Sequence, residues 1–139
     1  MAYDPNNIFA KIVRGEAPCF KVYEDAQTIA FMDIMPQAEG HTLVIPKEGA
    51  ESIFDVSPEA AAALIKTTKK VAAAVKEVTG AEGLMIAQLN GAAAGQTVFH
   101  IHFHVIPRTG GADFKIHARD KADFEKLKAL AAKIAAAIR

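Results

Sequence analysis

The chain has 139 residues, sixteen basic and sixteen acidic, with a formal net charge of zero, which suits one domain with a real core and gives no global attraction to nucleic acid or anionic lipid. Hydrophobic residues reach 51%, but Ala-rich stretches at 60–63 and 135–137 inflate the figure, and Lys133 breaks the longest C-terminal apolar stretch, well short of the ~20 residues a membrane span requires. The N-terminus lacks a basic region followed by an apolar one and Cys19 is the one cysteine, so a cytoplasmic, reducing location is expected, with neither a membrane nor a nucleic acid as partner.

Ile8 to Arg14 reads as a short helix stopped by Gly15, placed where a left-handed residue closes a helix. Phe20–Tyr23 and Thr28–Met32 read as strands around a turn at Glu24-Asp25, and Thr42–Ile45 as a third strand ended by Pro46. Ser57-Pro58-Glu59 is a strong helix start, with Ser as N-cap, Pro at the first position and an acid in the first turn; that helix should run to about Thr79 and stop at Gly80. Leu84–Leu89 and Val98–Ile106 read as two more strands, joined by a loop containing Gly91 and Gly95. A last helix is expected from near Asp120 almost to Arg139, with Phe124, Leu127, Leu130, Ala131 and Ile134 on one face. Five strands with short connections and two main helices predict an α+β domain built on a five-stranded antiparallel sheet. A doubly wound parallel sheet would need a helix after nearly every strand.

The last predicted strand carries His100, His102 and His104, three of the five histidines. Residues two apart in a strand share a face, so the imidazoles are expected in a row about 6.6–7 Å apart at Cα, with Ile101 and Phe103 pointing into the core. Three imidazoles on one face repel a charged neighbour and each needs partners, which points to chemistry. A metal site is one reading, since imidazole suits several transition ions; the outer two histidines, roughly 13 Å apart at Cα, would need a distant ligand such as His41. Nucleophilic catalysis on phosphorus is the other, because a neutral imidazole with an ordinary pKa of ~6.5 is a good nucleophile near neutrality. The preceding loop, Gly91-Ala92-Ala93-Ala94-Gly95-Gln96-Thr97, offers backbone N–H groups, an amide and a hydroxyl for phosphate. It is not a P-loop: Gln96 stands where the Lys belongs and a strand follows.

His-Ile-His-Phe-His-Val-Ile from His100 to Ile106 resembles the signature of the histidine triad (HIT) superfamily of nucleotide hydrolases and transferases. Gly95-Gln96-Thr97-Val98, Pro107-Arg108, Ile8-Phe9, Gly15-Glu16-Ala17-Pro18, Phe31-Met32-Asp33 and the block from Gly40 to Lys47 match in the same order. The compact length and the block from Phe9 to Lys47 look most like the Hint-like branch. The resemblance implies a single HIT domain over 1–139, with an extension from about residue 109 that caps the domain or the dimer. It also implies a homodimer, to which the Ala-rich helix would lend a close-packing face.

The activity implied is hydrolysis of nucleoside 5′-phosphoramidates, an AMP moiety of a purine nucleotide being the expected substrate portion. Dinucleoside polyphosphate hydrolysis, nucleotidyl transfer and a nucleotide-binding regulator with little turnover are the alternatives. By resemblance, His102 is the nucleophile, His104 holds the α-phosphate, and His100 and His41 set the imidazole network. Gln96 and Thr97 contact phosphate or leaving group, Asp33 the ribose hydroxyls, and Phe9, Ile12, Phe31 and Ile34 wall the nucleobase pocket. Three departures stand out. Asn7 and Ala10 occupy the positions of the Cys-x-x-Cys zinc site of many bacterial relatives, and Gly49 and Ala50 stand where a histidine is expected after Lys47, so neither a structural metal nor another cofactor is expected. A phosphate-side Asn falls one place off register at Asn90. The residues beyond Arg108 extend past shorter relatives, and His117 lies outside every motif.

Overall fold

A computed structural model describes residues 2–109 and 122–139; His117 and the predicted helix start near Asp120 lie outside them. The first helix, α1, is Ile8–Val13. Asn7, at a position where the family resemblance implies a cysteine, caps it by accepting from the Ala10 amide at 2.9 Å. Arg14 and Gly15 close it: Gly15 sits at φ 76°, and the Gly15 and Glu16 amides donate back to the Ile12 and Lys11 carbonyls, the 5→2 and 6→1 bonds of a Schellman end.

Strands β1 (Lys21–Glu24), β2 (Thr28–Met32) and β3 (Thr42–Pro46) follow. The first is shifted by one residue from the expected Phe20–Tyr23, with an irregular register between Lys21 and Tyr23. Helix α2 spans Pro58–Thr79 with Ser57 as N-cap and Gly80 at φ 67° beyond its end, as the capping residues predict. Strand β4 is Gly83–Gln88, a 3-10 turn covers Ala92–Ala94, β5 is Phe103–Arg108 and α3 is Phe124–Ala137, capped by Asp123. The five strands form one antiparallel sheet in the order β1-β2-β3-β5-β4. The α+β antiparallel fold is therefore as expected.

The expected histidine strand, Val98–Ile106, requires correction: regular pairing begins only at Phe103, so His100 and His102 precede the strand. On one side β4 ends at Gln88, opposite Phe103; on the other, β3 continues to Pro46 beside β2 but pairs with β5 no further than Val44, also opposite Phe103. Within residues 98–102 the Ile101 amide instead donates to the Ala50 carbonyl at 2.9 Å, and the Val98 and His100 carbonyls accept from side chains.

Alternation sorts the sheet into two faces. Ala30, Val44, Ile101 and Val105 join Leu64, Val71 and Val75 of α2 and Leu127, Ala131 and Ile134 of α3 in the main core. The C-terminal segment thus completes the helix layer over one face. Ile29, Phe31, Leu43 and Ile45 point the other way and pack with Phe9 and Ile12 of α1. Phe124, predicted on the buried face of α3, is 47% exposed but sets its ring edge-on to Phe20. Among the described residues no helix is long and apolar enough to cross a membrane.

Candidate active site

On the α1 side of the sheet lies a cavity of about 760 Å³. Its apolar wall includes Phe9, Ile12, Phe31, Ile34, Leu43 and Leu89, and its polar groups include Asp33, His41, Thr97, His102 and His104. A mostly apolar hollow with a few convergent polar groups is the usual form of a small-molecule site. Phe9 supplies a second service, standing perpendicular to the His102 ring with centroids 4.9 Å apart.

Fixed backbone partners assign the protons on these imidazoles. His102 Nδ1 lies 2.7 Å from the His100 carbonyl, and a carbonyl only accepts, so Nδ1 carries the hydrogen and Nε2 the lone pair. The Gln37 amide donates to His41 Nδ1 at 3.0 Å. A neutral His41 must then carry its proton on Nε2, 2.9 Å from His104 Nδ1, which accepts it. His104 consequently bears its own hydrogen on Nε2. His102 and His104 pack edge to face with centroids 4.9 Å apart, and both line the cavity.

Electrostatics agrees with these assignments. Burial, then the His104 charge, pushes the His41 pKa down from 6.5 to about 3, and burial also lowers those of His100 and His102. Asp33 moves oppositely, raised by burial to about 6 although the Met35 amide donates to its Oδ1 at 2.8 Å. Asp33 Oδ2 is 3.4 Å from His41 Nε2; an ion pair there would lower the acid and raise the base, and burial outweighs that coupling in both. At neutral pH His41, His100 and His102 are therefore neutral beside the Asp33 carboxylate.

One ligand atom each from Asp33, His41 and His104 falls within 4.8 Å of the others, close enough to hold an ion. Binding there would require His41 to surrender its Nε2 proton while the Gln37 amide still occupies Nδ1, leaving either an imidazolate or a broken hydrogen bond. The donor pattern opposes a metal at these atoms.

The family model of the HIT domain matches residues 14–111. The chain belongs to the HIT family. A Hit-like protein involved in cell-cycle regulation from Bartonella henselae, solved with an unknown ligand, is 50% identical, with a TM-score of 0.92 over 99% of this chain and 100% of that one. An uncharacterised HIT-like protein of Borreliella burgdorferi is 44% identical over 91% of this chain and 94% of its own length. An adenosine 5′-monophosphoramidase of Schizosaccharomyces pombe is 46% identical over 73% of both chains.

Of the residues the HIT resemblance singles out, the fold gathers His41, His102, His104, Asp33, Thr97, Phe9, Ile12, Phe31 and Ile34 around the cavity. His100, Gln96 and Asn90 are outside that lining. His100 is 1% exposed and lies behind His102, with its Nε2 donating to the Pro46 carbonyl at 2.8 Å. The Gln96 amide accepts from the Gly91 amide and donates to the Glu51 and Val98 carbonyls, so it braces the HIT loop, and contact with phosphate would break one of those bonds. Asn90 accepts from the Ile53 amide and pairs with the Gln88 side chain, tying that loop to residues 51–56. Sequence reasoning passed over Met85, Ala87 and Leu89, which also line the cavity; their alternation along β4 is the signal that could have found them. It passed over Tyr3 as well, whose hydroxyl lies 2.6 Å from His100 Nδ1.

Proposed function

We propose that this HIT protein hydrolyses nucleoside 5′-phosphoramidates, with the base in the apolar part of the cavity and the α-phosphate at His102 and His104. The observation that carries the reading is the His102 tautomer: the His100 carbonyl accepts from Nδ1–H, which leaves the Nε2 lone pair of a cavity-lining ring for attack, with His104 lining the same cavity. His102 Nε2 attacks phosphorus and the P–N bond breaks as the amine nitrogen takes a proton from solvent, leaving a nucleotidyl-imidazolium. Water then attacks the same phosphorus and returns a proton to solvent, the P–Nε2 bond breaks, and nucleoside monophosphate leaves with a neutral His102. Donation from His104 Nε2–H and Thr97 to the non-bridging oxygens stabilises the charge that builds there. Asp33, at the rim of the apolar wall, is the acceptor for ribose hydroxyls. The identity with a relative named as an adenosine 5′-monophosphoramidase supports the same substrate class.

The protein acts as a symmetric homodimer in this reading. Strand β4 ends the sheet order and Ile86 on it is 44% exposed, and an edge strand with an apolar side chain is a template for a second copy. On α2, the Ala-rich helix expected to lend the dimer a close-packing face, Leu64, Val71 and Val75 are occupied within the chain, while Ile65 is 55% exposed.

The convergence of Asp33, His41 and His104 favours one competing reading, a metal-activated water. Turnover of adenosine 5′-phosphoramidate and of a diadenosine polyphosphate, each in excess EDTA, separates the readings. Retained activity with preference for the phosphoramidate is expected. Loss in EDTA restored by an ion would install the metal mechanism, and preference for the polyphosphate would change the substrate class.

A further inference from the structure

We propose that Tyr3 is a positioning residue for the histidine site: its hydroxyl donates to His100 Nδ1 and thereby fixes the His100–Ile101 peptide that orients the His102 ring. The proposal rests on the reading of His102 as nucleophile for its kinetic consequence, while its structural content stands on geometry alone. His100 Nε2 donates to the Pro46 carbonyl at 2.8 Å, so in the neutral ring Nδ1 is an acceptor, and the Tyr3 hydroxyl 2.6 Å away supplies the hydrogen. Both nitrogens of a side chain only 1% exposed are thus engaged. Without the hydroxyl, Nδ1 would be a buried acceptor with nothing to accept, and such a group is costly.

The next peptide is held just as fully. The Ile101 amide donates to the Ala50 carbonyl at 2.9 Å, and the His100 carbonyl accepts from His102 Nδ1 at 2.7 Å. These bonds carry unusual weight because residues 100–102 precede β5 and gain nothing from strand pairing. Tyr3 also rests against the segment that supplies the acceptors. A Cβ built on Gly49 would meet Tyr3 Cε2 at 2.8 Å and Cζ at 3.2 Å, so the ring lies against that backbone and only glycine leaves it room. Tyr3, residues 46–50 and residues 100–101 therefore make one clamp behind the nucleophile. Tyr3 itself lies outside the matched HIT segment, 14–111, whereas the residues it clamps lie within it.

The test uses the full-length protein, labelled with nitrogen-15 in its histidines, with Tyr3→Phe and Gly49→Ala variants. In the parent, His100 should show an accepting Nδ1 and a protonated Nε2. Tyr3→Phe should move the His100 Nδ1 resonance downfield as it loses its donor, and should perturb the His102 ring nitrogens. With adenosine 5′-phosphoramidate, kcat should fall about two- to tenfold, the worth of one neutral hydrogen bond, with KM unchanged. Gly49→Ala, which displaces the ring, should reproduce the loss, and the double variant should be no worse than the poorer single one, because both remove one contact. Unaltered His100 or His102 resonances in Tyr3→Phe overturn the proposal, and so does an unchanged kcat or an additive double variant. If the parent does not turn over the phosphoramidate, the substrate reading fails separately and the His102 resonances alone decide the role of Tyr3.

Discussion

At the scale of single residues, function rests on where the imidazole protons sit, and the groups that hydrogen-bond each ring decide that, some near in sequence and some far. The spacing of His100, His102 and His104 was legible because period two is a property of the chain itself. Their tautomers were not, since they depend on the folded placement of the His100 and Pro46 carbonyls, the Gln37 amide and the Tyr3 hydroxyl, the last 97 residues from its partner. Replacing His102 with Ala should cut turnover by several orders of magnitude while nucleotide binding survives, because binding and covalent chemistry are separable; single-turnover kinetics beside calorimetric titration with AMP checks both halves. Asp33 gives a pH signature. With its pKa raised to about 6, it is a full hydroxyl acceptor at pH 7.5 and loses that capacity as pH falls to 5. Adenosine affinity should weaken over this range while that of 2′,3′-dideoxyadenosine does not, and Asp33→Ala should weaken adenosine binding at pH 7.5 by about ten- to a hundredfold, as for hydrogen bonds to a charged group. Equal pH profiles for the two nucleosides would remove Asp33 from the ribose.

At the scale of elements, caps and glycines mark boundaries well, and pairing partners mark them better. Ser57, Pro58 and Gly80 delimit α2 as the sequence predicts, because capping is local chemistry. The start of β5 could not be read locally: apolar alternation runs from Val98, but strand structure needs paired neighbours, and β4 ends opposite Phe103 while β3 beyond Val44 pairs with β2 alone. Gly40 shows how an element boundary serves the site. It holds φ 103°, and an added Cβ would meet Thr79 Cγ2 at 2.7 Å and Pro107 Cγ at 3.1 Å; the next residue is His41. Gly40→Ala should cost about 1–3 kcal/mol through backbone strain and crowding and should displace His41 from His104. A lower thermal midpoint together with reduced kcat is expected, and an unchanged midpoint would show that the turn relaxes freely.

Across the whole molecule, the two faces of one sheet divide the labour: α2 and α3 seal the core on one side, and α1 leaves a walled cavity on the other. That division was legible from parity, whereas the engagement of Gln96 and Asn90 by neighbouring chain was not, because loop closure depends on residues 51–56. Burying neutral imidazoles makes stability depend on pH. His41 titrates at 6.5 when exposed and about 3 when folded, so its contribution is complete above 6.5 and is lost as pH falls toward 3. Asp33, raised to about 6, acts oppositely, adding stability as pH falls from about 6 to below its ordinary value of 3.8. Three lowered histidines, His41, His100 and His102, outnumber that one acid. Urea midpoints should therefore fall between pH 7 and 4.5, with a shallower fall in His41→Asn. Light scattering should give twice the monomer mass, and Ile86→Glu on the β4 edge should halve it; a parent already at monomer mass would exclude the homodimer. The covalent step is tested most directly by its stereochemistry, using a nucleoside phosphoramidate made chiral at phosphorus with sulfur and hydrolysed in oxygen-18 water. Two displacements through nucleotidyl-His102 give product with overall retention of configuration; inversion would mean that water displaces the amine in one step and that His102 never forms a bond to phosphorus.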